Sequence, residues 1–161
     1  MNKFLRTLMI ATALVVATGG AASAAGSPDP IVGTWTLNLT KSRFSPGPAP
    51  QSQTRTYAPS AQGIALTWKG VAADGSAVSG ESTFNTDGKE YPISGSPDYN
   101  TISLKKINGS TVKATLKRGG KVVGSTVRTI SAHGKVMTLH TKARDLKNMP
   151  YDNVMVFDKQ E

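Results

Sequence analysis

The stretch Ile64-Ala65-Leu66-Thr67-Trp68-Lys69 decides how this chain folds. Ile64, Leu66 and Trp68 share one face of an extended segment and Ala65, Thr67 and Lys69 the other, because side chains along a β-strand alternate with period two. The same alternation recurs at Ile102-Ser103-Leu104, at Val112-Lys113-Ala114-Thr115-Leu116, at Val123, Ser125 and Val127 against Arg128, and at Met137-Leu139 and Met155-Phe157. One dry face and one wet face is the antiparallel pattern. Between the runs stand Asp74-Gly75, Asp87-Gly88, Asn108-Gly109, Gly119-Gly120 and His133-Gly134, dipeptides that tolerate the positive φ of tight hairpin turns. An all-β domain is expected: an antiparallel up-and-down meander of about eight to ten strands closing into a barrel, since closure removes the exposed edges and no helix is available to cover the apolar face. A β-sandwich is the alternative. The expected interior comprises Trp35, Leu66, Trp68, Leu104, Leu116, Leu139 and Phe157.

The N-terminus has the three parts of a secretory signal. Lys3 and Arg6 precede an apolar run from Leu8 to Ala17, and Ala22-Ser23-Ala24 supplies a small-x-small cleavage site. That run is too short to span a bilayer. The expected organisation is a signal peptide over 1–24, a flexible leader over 25–30 and a single barrel domain over 31–161, exported to the periplasm or secreted. The chain has no cysteine, which excludes disulfide staples and thiolate chemistry, so stability has to come from a packed core.

At Ile31-Val32-Gly33-Thr34-Trp35-Thr36-Leu37-Asn38 the first strand carries a Gly-x-Trp, and this resembles the opening strand of the lipocalin and fatty-acid-binding-protein superfamily of small barrels. With Lys41-Ser42-Arg43-Phe44-Ser45 and the proline-rich Pro46–Pro50 it is also similar to a group of uncharacterised exported bacterial proteins. The resemblance implies a structural role for Gly33 and Trp35, with the Trp closing the barrel floor. It carries over neither the helical lid of the fatty-acid-binding proteins, whose place is taken by Ser45–Pro50, nor their terminal Arg-x-Tyr, since the last strand reads Asn153-Val154-Met155-Val156-Phe157-Asp158.

Catalytic constellations are not legible. The two histidines, His133 and His140, read as a turn residue and an outward strand residue, their spacing specifies no metal site, and no cysteine joins them. Turn aspartates such as Asp74, Asp87 and Asp98 serve their own turns. No metal, cofactor or catalytic residue is assigned. Candidate ligand contacts are Trp68, Met149 and Tyr151, the last two in a segment readable as a loop at the barrel mouth or simply as an apolar-anchored turn before the final strand.

The formal net charge is +9, and residues 101 to 150 carry 11 basic side chains against a single acidic one, Asp145. In a meander the later hairpins are neighbours, so Lys105, Lys106, Lys113, Lys117, Arg118, Lys121, Arg128, Lys135, Lys142, Arg144 and Lys147 are expected on one flank and its rims. Lys117, Arg118 and Lys121 are the candidate anion contacts, toward an anionic lipid or lipopolysaccharide surface. Nucleic acid is not expected, because stacking aromatics are missing from the basic stretch. The sequence therefore supports an exported, monomeric, non-catalytic binding protein for a small apolar or amphipathic anionic ligand. The alternatives are a filled barrel acting as a protein-interaction or protease-inhibitor module and, least favoured, an outer-membrane barrel, which Lys69, Lys113 and Arg128 at outward positions oppose.

Overall fold

In the computed structural model, which describes residues 29–161, the chain forms one antiparallel sheet of eleven strands, nearly closed into a barrel. The strands are β1 (Gly33–Leu37), β2 (Arg43–Ser45), β3 (Ser52–Ser60), β4 (Gly63–Val71), β5 (Ala77–Phe84), β6 (Asp87–Pro92), β7 (Thr101–Lys106), β8 (Thr111–Arg118), β9 (Lys121–Ile130), β10 (Val136–Arg144) and β11 (Pro150–Lys159). The expected signal peptide and residues 25–28 of the leader lie outside the described residues.

The count exceeds the expected eight to ten because one wall position is divided in two. β1 pairs with Phe157–Lys159 of β11 and β2 with Asp152–Val154 of the same strand, and the 3-10 turn Leu39–Lys41 separates them. That turn is tied down by the Asn38 amide, which donates to Asp158 Oδ2 at 2.6 Å.

The order around the barrel is β5-β4-β3-β1-β11-β10-β9-β8-β7-β6, so the first and last strands pair and the opening falls between β5 and β6. A few contacts clasp this seam. Ser82 and Ile93 form a single bridge, the Ser94 amide donates to the Glu81 carbonyl at 2.9 Å, and Ser82 Oγ donates to the Pro92 carbonyl at 2.8 Å. Two glycines let the chain come this close: a Cβ on Gly95, whose φ is +80°, would lie 2.0 Å from the Ser79 carbonyl oxygen, and one on Gly80 would lie 2.2 Å from that of Ser94.

Six of the seven expected interior residues are buried: Trp35, Leu66, Leu104, Leu116, Leu139 and Phe157. The seventh, Trp68, is half-buried. It packs against the core while its indole lies over Gly80, its register partner beside the seam. A single barrel core replaces the sandwich alternative.

Two readings are corrected. Asp87-Gly88 is not the hairpin tip, since the turn lies at Asn85–Thr86 and Asp87 opens β6, where its carboxylate accepts from the Tyr91 hydroxyl at 2.9 Å. Arg128 is not outward. Between Leu116↔Gly124 and Lys117↔Val122 the β8–β9 ladder carries a bulge at Val123, and an extra residue inverts the facing of all that follow. Arg128 then stands opposite Val112 and Leu139, both buried, and is itself only 8% exposed, while Val127 takes the outer face.

Candidate functional site

The floor of the barrel is built by the Gly-x-Trp of β1. Trp35 is fully buried, its indole N–H donates to the Ile31 carbonyl at 2.7 Å, and the Lys159 ammonium lies 5.1 Å from the ring centroid. Gly33 is required by that crossing, because a Cβ there would meet Lys159 Cε at 2.7 Å and its φ is +133°. The segment entering the floor is itself held by Asp29, whose carboxylate accepts from the Ile31 amide at 3.0 Å. Asp29 and Pro30 thus belong to a turn under the barrel, although they were expected in the flexible leader.

Above the floor, strands on both sides of the barrel add polar side chains to the wall. β3 delivers Arg55 and Tyr57, β9 delivers Thr126 and Arg128, β10 delivers Thr141, and the loop before β7 delivers Tyr99; all six line an interior cavity of about 80 Å³. The Thr126 and Thr141 hydroxyls, register partners, hydrogen bond to each other at 2.8 Å. Arg55 donates through Nε to Gln53 Oε1 at 2.9 Å and through a terminal nitrogen to the Tyr57 hydroxyl at 3.4 Å, and its guanidinium lies 5.6 Å from the Phe157 ring centroid.

Arg128 differs. Its Nε is buried with no hydrogen-bond partner, and it has no ion-pair partner among the described residues. Burial pulls its pKa below the ordinary guanidinium value, with the distant pull of Tyr57 and Asp29 acting the other way. Burial likewise pushes the Tyr99 hydroxyl up, so it stays a neutral donor.

A second cavity of about 310 Å³ opens at the other end of the barrel. It shares Tyr99, Thr141 and Met155 with the interior cavity, so the two adjoin, and Met149 and Tyr151 line its outer part. Met149 precedes β11 and Tyr151 lies within it, so the segment is also the turn into the last strand. Asp98 lines the same cavity, and burial raises its pKa, with Asp145 adding to the effect. Desolvation also raises the Tyr151 hydroxyl.

No protein-family model matches the chain, and no curated protein matches it. What the cavity can do follows from its own side chains.

Of the candidate anion contacts, two are engaged within the chain. Lys117 forms an ion pair with Glu90, Arg118 donates to the Asp98 carbonyl at 2.9 Å, and Lys121 is exposed. Trp68 lines neither cavity described above. His133 is exposed in its turn. His140 faces outward and is hydrogen bonded to Asp152 at 2.8 Å, and Asp152 also pairs with Lys142 and Arg43.

Sequence reading missed Arg55, Tyr57 and the facing of Arg128. The last strand lacks an Arg-x-Tyr, whereas Thr54-Arg55-Thr56-Tyr57 carries one on β3, where Arg55 stands beside Trp35 across the β1–β3 ladder.

Proposed function

We propose that the protein is an exported, non-catalytic binding protein of lipocalin-like type whose barrel takes a small amphipathic anion, with the anionic group inside on Arg128 and Arg55 and the apolar part toward the mouth. One observation carries this reading: a buried guanidinium with an orphan N–H, on a side chain that lines a cavity. An unpaired buried donor costs roughly 1–3 kcal/mol, more when charged, and a buried charge is ordinarily paired. A bound carboxylate supplies the missing acceptor and the missing charge together. Tyr57, Tyr99 and the Thr126–Thr141 pair add neutral donors around it, and Leu104, Leu116 and Leu139 give the same cavity an apolar wall.

Size narrows the class. The interior cavity of about 80 Å³ admits a carboxylate head but not a long tail, while the adjoining mouth of about 310 Å³ has room for a short apolar one. Drug-sized sites measure roughly 300–1,000 Å³. Short- and medium-chain carboxylates fit this shape better than long fatty acids. An outward set of charges at Lys69, Lys105 and Lys113 around an apolar interior is the reverse of a membrane barrel, which disfavours that alternative.

The test is a melting-temperature screen of residues 25–161, which contain the whole barrel, against octanoate, octanol and octylamine. A ligand that binds only the folded state raises stability by about 2.7 kcal/mol at a hundred times its Kd. Stabilisation by octanoate alone, abolished in Arg128→Met, is the expected result. The smallness of the interior favours a second reading, a filled barrel that works through its surface, and no shift with any of the three would select it. Equal shifts with octanoate and octanol would remove the anion from the account.

A further inference from the structure

The mouth end of the barrel carries exposed apolar side chains that the interior does not use. Val122 at the β8–β9 tip is 64% exposed, and Leu146 and Met149 in the β10–β11 loop are 63% and 59% exposed. Single exposed apolar residues are ordinary, but these belong to adjacent tips. β9 and β10 are paired up to Gly124↔Ala143, which sets Lys121–Val123 beside Arg144, and Val123, Arg144 and Met149 line one groove.

The loop displays these residues on a fixed frame. The Asp145 amide donates to the Met149 carbonyl at 3.0 Å, the Met149 amide to the Asp145 carboxylate at 2.8 Å, and the Arg144 guanidinium to the Asn148 carbonyl at 2.9 Å. Leu146 and Lys147 at its tip are held outward. Around the apolar tips stand Lys121, Arg144 and Lys147, all exposed, and none of them forms an ion pair among the described residues.

We propose that this rim docks on an anionic phospholipid bilayer, with Val122, Leu146 and Met149 entering the boundary between headgroups and acyl chains and Lys121, Arg144 and Lys147 meeting the phosphates. Charge complementarity selects the surface, and the apolar tips select a bilayer over a purely acidic polymer, which offers nothing apolar to enter. Docking there would set the mouth cavity, which Met149 also lines, against the membrane. The inference stands on the rim and does not require Arg128 to bind an anion.

Cosedimentation of residues 25–161 with vesicles of phosphatidylcholine and phosphatidylglycerol at three to one tests it. Each basic residue near an anionic surface contributes about a fivefold factor in binding, so Lys121→Glu with Lys147→Glu is expected to weaken partition at least tenfold. Leu146→Asp with Met149→Asp is expected to weaken it comparably, and raising the salt to weaken it further. Ile107→Asp alters an equally exposed apolar residue at the opposite end of the barrel, 59% exposed, and is expected to change nothing. All variants alter exposed residues in or next to turns, and circular dichroism checks that each remains folded. Equal binding to pure phosphatidylcholine, loss with Ile107→Asp, indifference to both rim pairs, binding to an acidic polysaccharide or lipopolysaccharide but not to the vesicles, or a dimer that buries the rim would each overturn the proposal.

Discussion

Replacing Arg128 by Met is expected to make the protein more stable and its cavity inert. The substitution keeps an unbranched apolar stem against Val112 and Leu139 and removes a guanidinium that is 8% exposed with an orphan Nε. Relief of the orphan donor is worth about 1–3 kcal/mol, and exchange of a buried ionic group for an apolar one is commonly neutral or stabilising by roughly 1–4 kcal/mol. Against this, the shorter side chain leaves a void of about one methylene, at a cost of about 1 kcal/mol. The net expectation is a gain of about 1–2 kcal/mol, and for domains near this size each kcal/mol moves Tm by roughly 2–8 °C. Urea unfolding at neutral pH measures it as a higher midpoint at unchanged slope. A loss of more than about 1 kcal/mol would refute the reasoning, because it would mean that the guanidinium is satisfied in the folded protein and holds the wall together.

Trp35→Phe deletes the indole donor to the Ile31 carbonyl and most of the Lys159 contact, and a cost of about 2–4 kcal/mol in urea unfolding is expected, with a value below about 1 kcal/mol contradicting the floor role. Gly95→Ala forces a side chain into a left-handed backbone and against the Ser79 carbonyl, so it should destabilise by roughly 2 kcal/mol and speed hydrogen exchange at the Ser94 amide; an unchanged exchange rate would show that the seam is not held there. Asp152 and Asp158 have pKa values below the ordinary 3.8, held down chiefly by hydrogen bonds from His140 and Asn38 respectively. A depressed folded pKa means stability present above the unfolded value and lost as pH falls through the folded one, so Asp152→Asn with Asp158→Asn should flatten the acid limb of the stability profile below about pH 4 and leave a parallel decline above it. An acid limb identical to the parent's would assign acid unfolding to other carboxylates.

The strand class, the runs in β1, β4 and β7 to β11, and most of the turns are local properties, because period-two alternation and glycine-bearing dipeptides act within a few residues. Trp35 was legible for the same reason: a large apolar residue two positions after a glycine, at the start of a meander, has few uses other than plugging an end. Three things depended on contacts between segments far apart in the chain. The seam lies between β5 and β6 because β1 pairs with β11, a contact across more than a hundred residues that local pattern does not announce. The pocket exists because Arg55 and Tyr57 of β3 meet Arg128 of β9 across the barrel, and alternation says which residues share a face without saying which face is inside. Arg128 itself was misread because hydrophobicity placed Val127 inward, while the extra residue at Val123 shifted the register by one. A period of two makes any one-residue insertion a reversal, so a single bulge, set by the β8–β9 pairing and invisible in composition, put a charge inside the barrel and created the site.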